Sequence, residues 1–330
     1  MAIELIAEAA QGYEGNPTLA RLLARAAIRA GADAVKFQLV YADEIATPGY
    51  QYYDFFRTLE MPPAAWQAVV DEVHQAKRRF YFDVFGERSL REAHALGADG
   101  VKIHSTDFFN APLVRLALEL MPRVFVSFGG IALDELETFL QTHRIPPQGK
   151  ACLMYGFQAD PTPVELNNLS RLAALRKYFP GYSFGFMDHT DGSSEEALTL
   201  PLLALPLGVS CIEKHVGLDR ALQLEDYISA LSPEQFQVFV QRIRRLEPAL
   251  GTDRLELTPT EREYRQKAVK SVVAVRALVQ GTVITSGDLS LKRVARAAAS
   301  TPLHRLEDAV GRTIAVDVQH NQPVTEEMVR

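Results

Sequence analysis

Only two cysteines, Cys152 and Cys211, occur in 330 residues. That excludes a disulfide-stapled scaffold and a cysteine-rich metal module. Both fall inside apolar runs, so two buried free thiols in a reducing cytoplasm are expected rather than a bridge. No uninterrupted apolar stretch approaches the roughly 20 residues that span a bilayer. Met1-Ala2-Ile3-Glu4 has neither the basic start nor the apolar run of a secretory leader. A cytoplasmic chain with no membrane partner is therefore expected. Positive charge is not in excess either: 35 Lys and Arg stand against 41 Asp and Glu, a net charge of −6. This excludes a general nucleic-acid surface but leaves room for a local basic pocket that takes a small anion.

What the chain does have is a rhythm. Short apolar runs recur at Ile3–Glu8, Ala34–Gln38, Phe80–Phe85, Val101–Ser105, Val124–Ser127, Cys152–Tyr155, Phe184–His189 and Ser210–His215. They are apolar on both faces, as buried parallel strands must be. Helical segments lie between them. Asn16 and Pro17 open the first and Gly31 closes it; Pro62-Pro63 opens the second, and Ser89–Leu96 is a short third. Ala111–Met121, Leu133–His143, Glu165–Tyr178, Ser194–Leu205 and Pro233–Leu250 complete eight, with Pro201 and Pro206 straining the seventh. Strand-then-helix eight times predicts a closed parallel (β/α)8 TIM barrel, an α/β fold, over residues 1–255.

Two stretches depart from the rhythm. Tyr41–Met61 is long and aromatic and follows the second strand, on the face where such barrels react; it is either a substrate-covering loop or a packed excursion with a short helix at Tyr52–Leu59. Residues 256–268 are polar and charged, with Pro259 among them, and read as a linker. Residues 269–330 then form a small module of short β-like runs: Ser271–Val275, Val283–Thr285 and Thr313–Val316. The ten residues from Gln280 to Leu289 echo those from His320 to Val329, which suggests two similar halves. A core that small is marginal alone, so the module is expected to dock on a barrel, its own or a partner's.

The strand ends carry Glu8, Lys36, Gln38, Asp83, Lys102, Ser105, Ser127, His189 and His215, which predicts one pocket. His189 and His215 end neighbouring strands. They either bind a divalent metal with positions left open for substrate, Glu8 being a possible carboxylate partner, or only hydrogen-bond in the barrel mouth. Lys36 and Lys102 need partners, because burying an ammonium alone is costly. An anionic substrate, Schiff-base chemistry, or salt bridges to Glu8, Asp83 or Asp107 would each answer that need. Ser105 and Ser127 offer hydroxyls to the same anion. Gly129-Gly130 either exposes N–H groups to phosphate or only turns the chain.

Taken together, several motifs make the chain resemble the sialic acid synthase family, the N-acetylneuraminate, legionaminate and pseudaminate synthases. They are Ala7-Glu8-Ala9, Ala30-Gly-Ala-Asp-Ala-Val-Lys-Phe-Gln38, Val101-Lys-Ile-His-Ser105 with Asn110-Ala-Pro-Leu113, Asp188-His-Thr190, Ile212-Glu-Lys-His215, Glu225-Asp226 and Ala249-Leu-Gly251. In the tail they are Ser271-Val-Val273, Gly281-Thr-Val-Ile-Thr285 and Leu291-Lys-Arg293. The resemblance implies a barrel joined to a C-terminal antifreeze-like (β-clip, SAF) domain. It implies a carbon–carbon bond-forming transferase that condenses phosphoenolpyruvate with an N-acyl aminosugar. His189 and His215 would hold Mn2+ or Mg2+; Glu8, Gln38 and Asp226 would contact the sugar, with Glu8 as acid or base. Lys36, Lys102, Ser105 and Ser127 would hold phosphoenolpyruvate. Arg293 would come from the other subunit of a domain-swapped homodimer. The chain departs from the family pattern at Gly12-Tyr13, at Asp83 (commonly threonine), at Phe128, at Gln158, at Met187 and after Arg293, where a proline is customary.

Overall fold

The computed structural model describes residues 2–159, 161–295 and 301–330. Two compact units divide the chain, Met1–Gly251 and Thr252–Arg330. In the first, eight strands close a parallel barrel in chain order: β1 (Glu4–Ala10), β2 (Ala34–Gln38), β3 (Arg79–Val84), β4 (Gly100–Ile103), β5 (Val124–Ser127), β6 (Ala151–Tyr155), β7 (Ser183–Asp188) and β8 (Cys211–His215). Closure sets Glu8 opposite both Lys36 of β2 and His215 of β8.

The side chains of a strand alternate, and both faces of these strands are buried. One set fills the barrel: Ile6, Ala34, Tyr81, Phe125, Cys152, Met154, Met187 and Cys211. The other packs outward on the helices, where Val35, Phe37, Phe80 and Phe82 join Leu23, Trp66 and Phe236 in the main core. Each such side chain contributes about 1.5–3 kcal/mol by leaving water. Trp66 anchors this layer edge-on to Tyr13 and Phe82, with ring centroids 4.9 and 5.1 Å away. At the N-terminal end of the barrel, Glu4 accepts hydrogen bonds from Tyr81 Oη at 2.6 Å and Arg79 Nη1 at 2.7 Å. The two cysteines are free and buried, their sulfurs 3.8 Å apart.

The first helix, Pro17–Ala30, begins as its sequence dictates: Asn16 Oδ1 accepts from the N–H groups of Thr18 and Leu19, and Gly31 closes it in the left-handed region. Three expectations need correction. The seventh helix is a single α-turn, Glu196–Thr199, continued as a 3-10 helix, Leu200–Leu207, because Pro201 and Pro206 cannot supply the N–H groups of an α-helix. The sixth is broken at Asn168, whose φ of 40° separates Val164–Asn167 from Leu169–Tyr178. The stretch expected to be a linker contains a helix, Pro259–Ala268, which Thr258 and Glu261 cap reciprocally. The aromatic excursion after β2 carries two short helices, Ala42–Ile45 and Tyr53–Thr58, with Tyr41, Tyr53, Leu59 and Met61 buried and Tyr50 and Tyr52 exposed.

The second unit pairs β9 (Ser271–Ala274) antiparallel with β10 (Leu289–Lys292). Val283–Thr285 and Thr313–Val316 are not strands; they contribute isolated bridges, Val283 to Thr313 and Ile314 to Val329. The echo is structural: Gly281 and Asn321 both take positive φ, and short 3-10 turns follow Thr285 and Thr325. Ile284, Leu289, Val324 and Val329 meet in one small core. Among the described residues no helix is long and apolar enough to cross a membrane.

Candidate active site

At the C-terminal end of the barrel, alternation brings Glu8, Lys36, Asp83, Lys102 and Glu213 to the interior. None of the five is more than 4% exposed. Burial of that depth requires each charge to find a partner. Lys36 Nζ pairs with Glu8 Oε2, lies 2.5 Å from Asp83 Oδ1 and 3.3 Å from Glu213 Oε2. Lys102 Nζ lies 2.7 Å from Glu213 Oε1, 3.0 Å from Asp83 Oδ2 and 3.8 Å from Glu8 Oε2. Thus two ammonium groups share three carboxyl groups. The carboxyl oxygens that accept no hydrogen bond, Glu8 Oε2, Asp83 Oδ2 and Glu213 Oε2, each face a lysine within ion-pair distance.

The three acids are not equivalent. Burial, joined by repulsion from Asp83 and Glu213, outweighs the lysines at Glu8 and raises its pKa to about 8, so it carries a proton near neutrality. At Glu213 the penalty of burial is overcome by Lys102 and Lys36, which hold the carboxyl well below its usual range. Burial alone would lower Lys102, but Asp83, Glu213 and Glu8 hold it well above its ordinary value. A protonated amine has no lone pair to attack a carbonyl, so Lys102 is not poised for Schiff-base chemistry. Of the salt-bridge partners foreseen for the lysines, Glu8 and Asp83 are found. Asp107 instead accepts from Asn110 Nδ2 at 2.9 Å and Thr106 Oγ1 at 3.3 Å.

Beside this cluster stand His189, immediately after β7, and His215, the last residue of β8, with ring centroids 5.1 Å apart. Burial pushes both down to about 3, aided at His189 by the neighbouring His215, so both rings are neutral near pH 7. His189 Nδ1 is buried with no hydrogen-bond partner. The backbone around it is fixed, its carbonyl accepting from Ser229 Oγ and Thr162 N, each at 2.9 Å. Two adjacent neutral imidazoles, one with an unpartnered nitrogen, fit a borderline divalent ion that takes its remaining positions from water or substrate. Among the described residues no three His, Cys, Asp or Glu side chains form a metal-binding group.

The other foreseen residues are distributed as follows. Gln38 ends β2; its Oε1 accepts from Gln11 Nε2 at 2.6 Å, and Tyr13 Oη donates to its carbonyl at 3.1 Å. Ser127 ends β5 and is buried, while Ser105 opens a 3-10 turn after β4 and is half-buried. Asp226 sits on the loop after β8 with φ 62°; its Oδ2 is 4.0 Å from His215 Nδ1, and Gln158 donates to its Oδ1 at 2.8 Å. Arg293 is exposed in the second unit, directly after β10. Gly129 is explained by packing: a Cβ there would meet the Gly156 carbonyl at 2.5 Å, and Gly130 turns with φ 78°.

Glu213 was missed. Its signal was present, since in a strand the residue two before His215 faces the same way. The intervening Lys214 and its β7 neighbour Asp188 face the other way and pair at 2.8 Å, fully buried.

The chain is similar to known proteins in sequence and in fold. Residues 23–254 match the model of the NeuB family and residues 269–330 that of the SAF domain. An N,N'-diacetyllegionaminic acid synthase from Legionella pneumophila is 28% identical over 308 residues, 88% of this chain and 85% of that protein. The human N-acetylneuraminate-9-phosphate synthase is 25% identical over 340 residues, 98% and 92% of the two chains. In fold, the chain matches the crystal structure of a spore coat polysaccharide biosynthesis protein E from Chromobacterium violaceum with a TM-score of 0.81, at 22% identity and 99% coverage of both chains.

Proposed function

The chain belongs to the NeuB family, and from that premise we propose that it is a carbon–carbon bond-forming synthase acting on the open-chain aldehyde of an N-acyl aminosugar. Phosphoenolpyruvate is the donor that the family resemblance implies. Its C3 forms a bond to the aldehyde carbon, whose oxygen takes up a proton. Water adds at C2 and phosphate leaves, giving a nine-carbon 2-keto-3-deoxy acid.

The reading is carried by one juxtaposition: two neutral imidazoles beside a protonated carboxyl and two lysines in a single barrel mouth. His189 and His215 would hold Mn2+ or Mg2+, which supplies Lewis acidity toward the aldehyde oxygen. Glu8, protonated near neutrality, is suited to deliver a proton to that oxygen and then, as carboxylate, to take one from the attacking water. Gln38 and Asp226 would orient the sugar hydroxyls; Ser105, Ser127, Lys36 and Lys102 would face the donor. Arg293 would reach the barrel mouth of the partner in a domain-swapped homodimer, and the synthase would work in the cytoplasm.

A second reading keeps the acceptor and changes the three-carbon donor. One observation favours it: both lysines are already engaged by carboxylates. A phosphate-release assay with phosphoenolpyruvate, Mn2+ and a panel of N-acyl mannosamines and diacetamido sugars tests the main reading. One phosphate per keto acid formed is expected. No release with any sugar, from folded and metal-loaded protein, rejects phosphoenolpyruvate as donor.

A further inference from the structure

A second group of metal-ligating side chains lies toward the other end of the barrel, where Cys211 stands opposite Glu4. Cys152 and Met154 share the inner face of β6, and Cys211 takes that of β8. All three are at most 1% exposed. Their sulfurs form a nearly equilateral triangle: 3.8 Å between the cysteines, 3.9 Å from Cys152 Sγ to Met154 Sδ and 3.6 Å from Cys211 Sγ to Met154 Sδ. The point equidistant from three such sulfurs is about 2.2 Å from each, close to the roughly 2.3 Å of a metal–thiolate bond. The intervening strand β7 makes room for them. Its Gly185 pairs with Met154 on one side and Cys211 on the other. A Cβ there would come within 2.4 Å of Met154 Sδ and 2.5 Å of Cys211 Sγ. The φ of Gly185 is not positive, so space rather than backbone freedom calls for glycine.

The surroundings suit thiolate sulfur. Ser210 Oγ lies 3.4 Å and Ser183 Oγ 3.5 Å from Cys152 Sγ, and both serines are half-buried, on the way in from the N-terminal rim. Hydrogen bonding from Cys211, aided by the two hydroxyls, brings the Cys152 thiol down to about 7. The Cys211 thiol, which donates, is held well above its ordinary value and gives up its proton only to a bound ion. Arg123 favours the thiolate form of both, and its Nε is buried with no hydrogen-bond partner.

We propose that Cys152, Met154 and Cys211 form a binding site for one soft monovalent cation, Cu(I), which ties β6 to β8 across Gly185. Two thiolates and a thioether are the soft donor set that Cu(I) prefers. Structural zinc sites take thiolate and imidazole, and a harder divalent ion is better matched by His189 and His215. Binding releases the thiol protons to solvent and leaves the copper as Cu(I). The site is independent of the reaction proposed for the barrel mouth.

The test is titration of the full, reduced chain with Cu(I), without oxygen, in competition with a chromogenic Cu(I) chelator, with folding checked by circular dichroism. The wild type should retain one Cu(I) per chain, show three sulfur neighbours at about 2.2–2.3 Å by X-ray absorption, and unfold at a higher temperature with the ion than without it. Cys152→Ser and Cys211→Ser should lose the ion. Met154→Leu, which nearly conserves volume, should weaken binding by at least the roughly ten- to hundredfold that loss of an outer-shell partner costs. His189→Ala should bind as the wild type does. A wild type that yields all its copper to the chelator overturns the proposal, and so does undiminished affinity in Met154→Leu. Copper kept by the cysteine variants but lost in His189→Ala would move the ion to the barrel mouth and overturn it as well. Preference of the same three residues for Zn2+ over Cu(I) would defeat the assignment of a soft monovalent ion.

Discussion

Lys102 is the position where the structure makes its most quantitative demand. Its ammonium is buried against Glu213, Asp83 and Glu8 at 2.7, 3.0 and 3.8 Å. Lys102→Met keeps the length of the side chain and removes the charge. Lys36 would then face three carboxyl groups alone, and one more of them would have to take a proton or stay charged without a partner. Breaking one side of a buried ion pair costs about 3–5 kcal/mol. For a unit of this size that corresponds to a fall in Tm of roughly 6–20 °C. The loss should be larger at pH 8 than at pH 5, because the carboxyl left unpaired protonates more readily at the lower pH. Adding Asp83→Asn restores one lysine against one ionised carboxylate and should return most of the lost stability. The assay is urea unfolding followed by circular dichroism, for both single variants and the double variant. A Lys102→Met protein within 1 kcal/mol of wild type, unaffected by Asp83→Asn, would refute the argument that the cluster is held by charge balance.

Three further outcomes are expected. Calorimetry should find one Mn2+ per chain, lost in His189→Ala and in His215→Ala with the barrel still folded; wild type that binds no divalent ion would reject the paired imidazoles as a metal site. Because burial raises the pKa of Glu8 from 4.5 to about 8, its contribution to stability is present below pH 4.5 and lost as pH rises through about 8; Glu8→Gln should flatten that part of the unfolding profile, and an unchanged slope would show that Glu8 titrates normally. Finally, inactive Arg293→Ala and His189→Ala chains should regain activity when mixed and allowed to exchange subunits, since one of the two sites in a mixed dimer has both residues intact. No recovery after proven exchange would place Arg293 in its own barrel or outside the site.

Much of this molecule is legible in its order of residues. Eight apolar runs with helical segments between them are enough to specify a closed barrel, because a parallel strand must be buried on both faces and a crossover helix must cover it. Asn16, Pro17 and Gly31 mark the ends of the first helix through local hydrogen bonding and backbone freedom alone. The repeated turn at Gly281 and Asn321 was visible as an echo for the same reason. Where local signals conflict, they resolve only in the fold. Pro201 and Pro206 interrupt an otherwise helical pattern, and the chain adopts a 3-10 helix there, packed against the barrel through Leu200, Ala204 and Leu205.

The candidate site divides along the same line. Sequence alone determined which chemical groups reach the barrel mouth, since a residue's place in a strand of period two fixes the face it takes. Lys36, Lys102, Glu8, Asp83 and both histidines follow from that, and Glu213 does too once His215 is known to face inward. Which charge meets which was decided only by closure. Residues 36, 102 and 213 lie on β2, β4 and β8, far apart in the chain, and their separation depends on the stagger of eight strands around one axis. Protonation was decided there as well: the same carboxyl type is raised at Glu8 and lowered at Glu213, because burial and the sum of neighbouring charges are properties of the assembled barrel rather than of any segment of the chain.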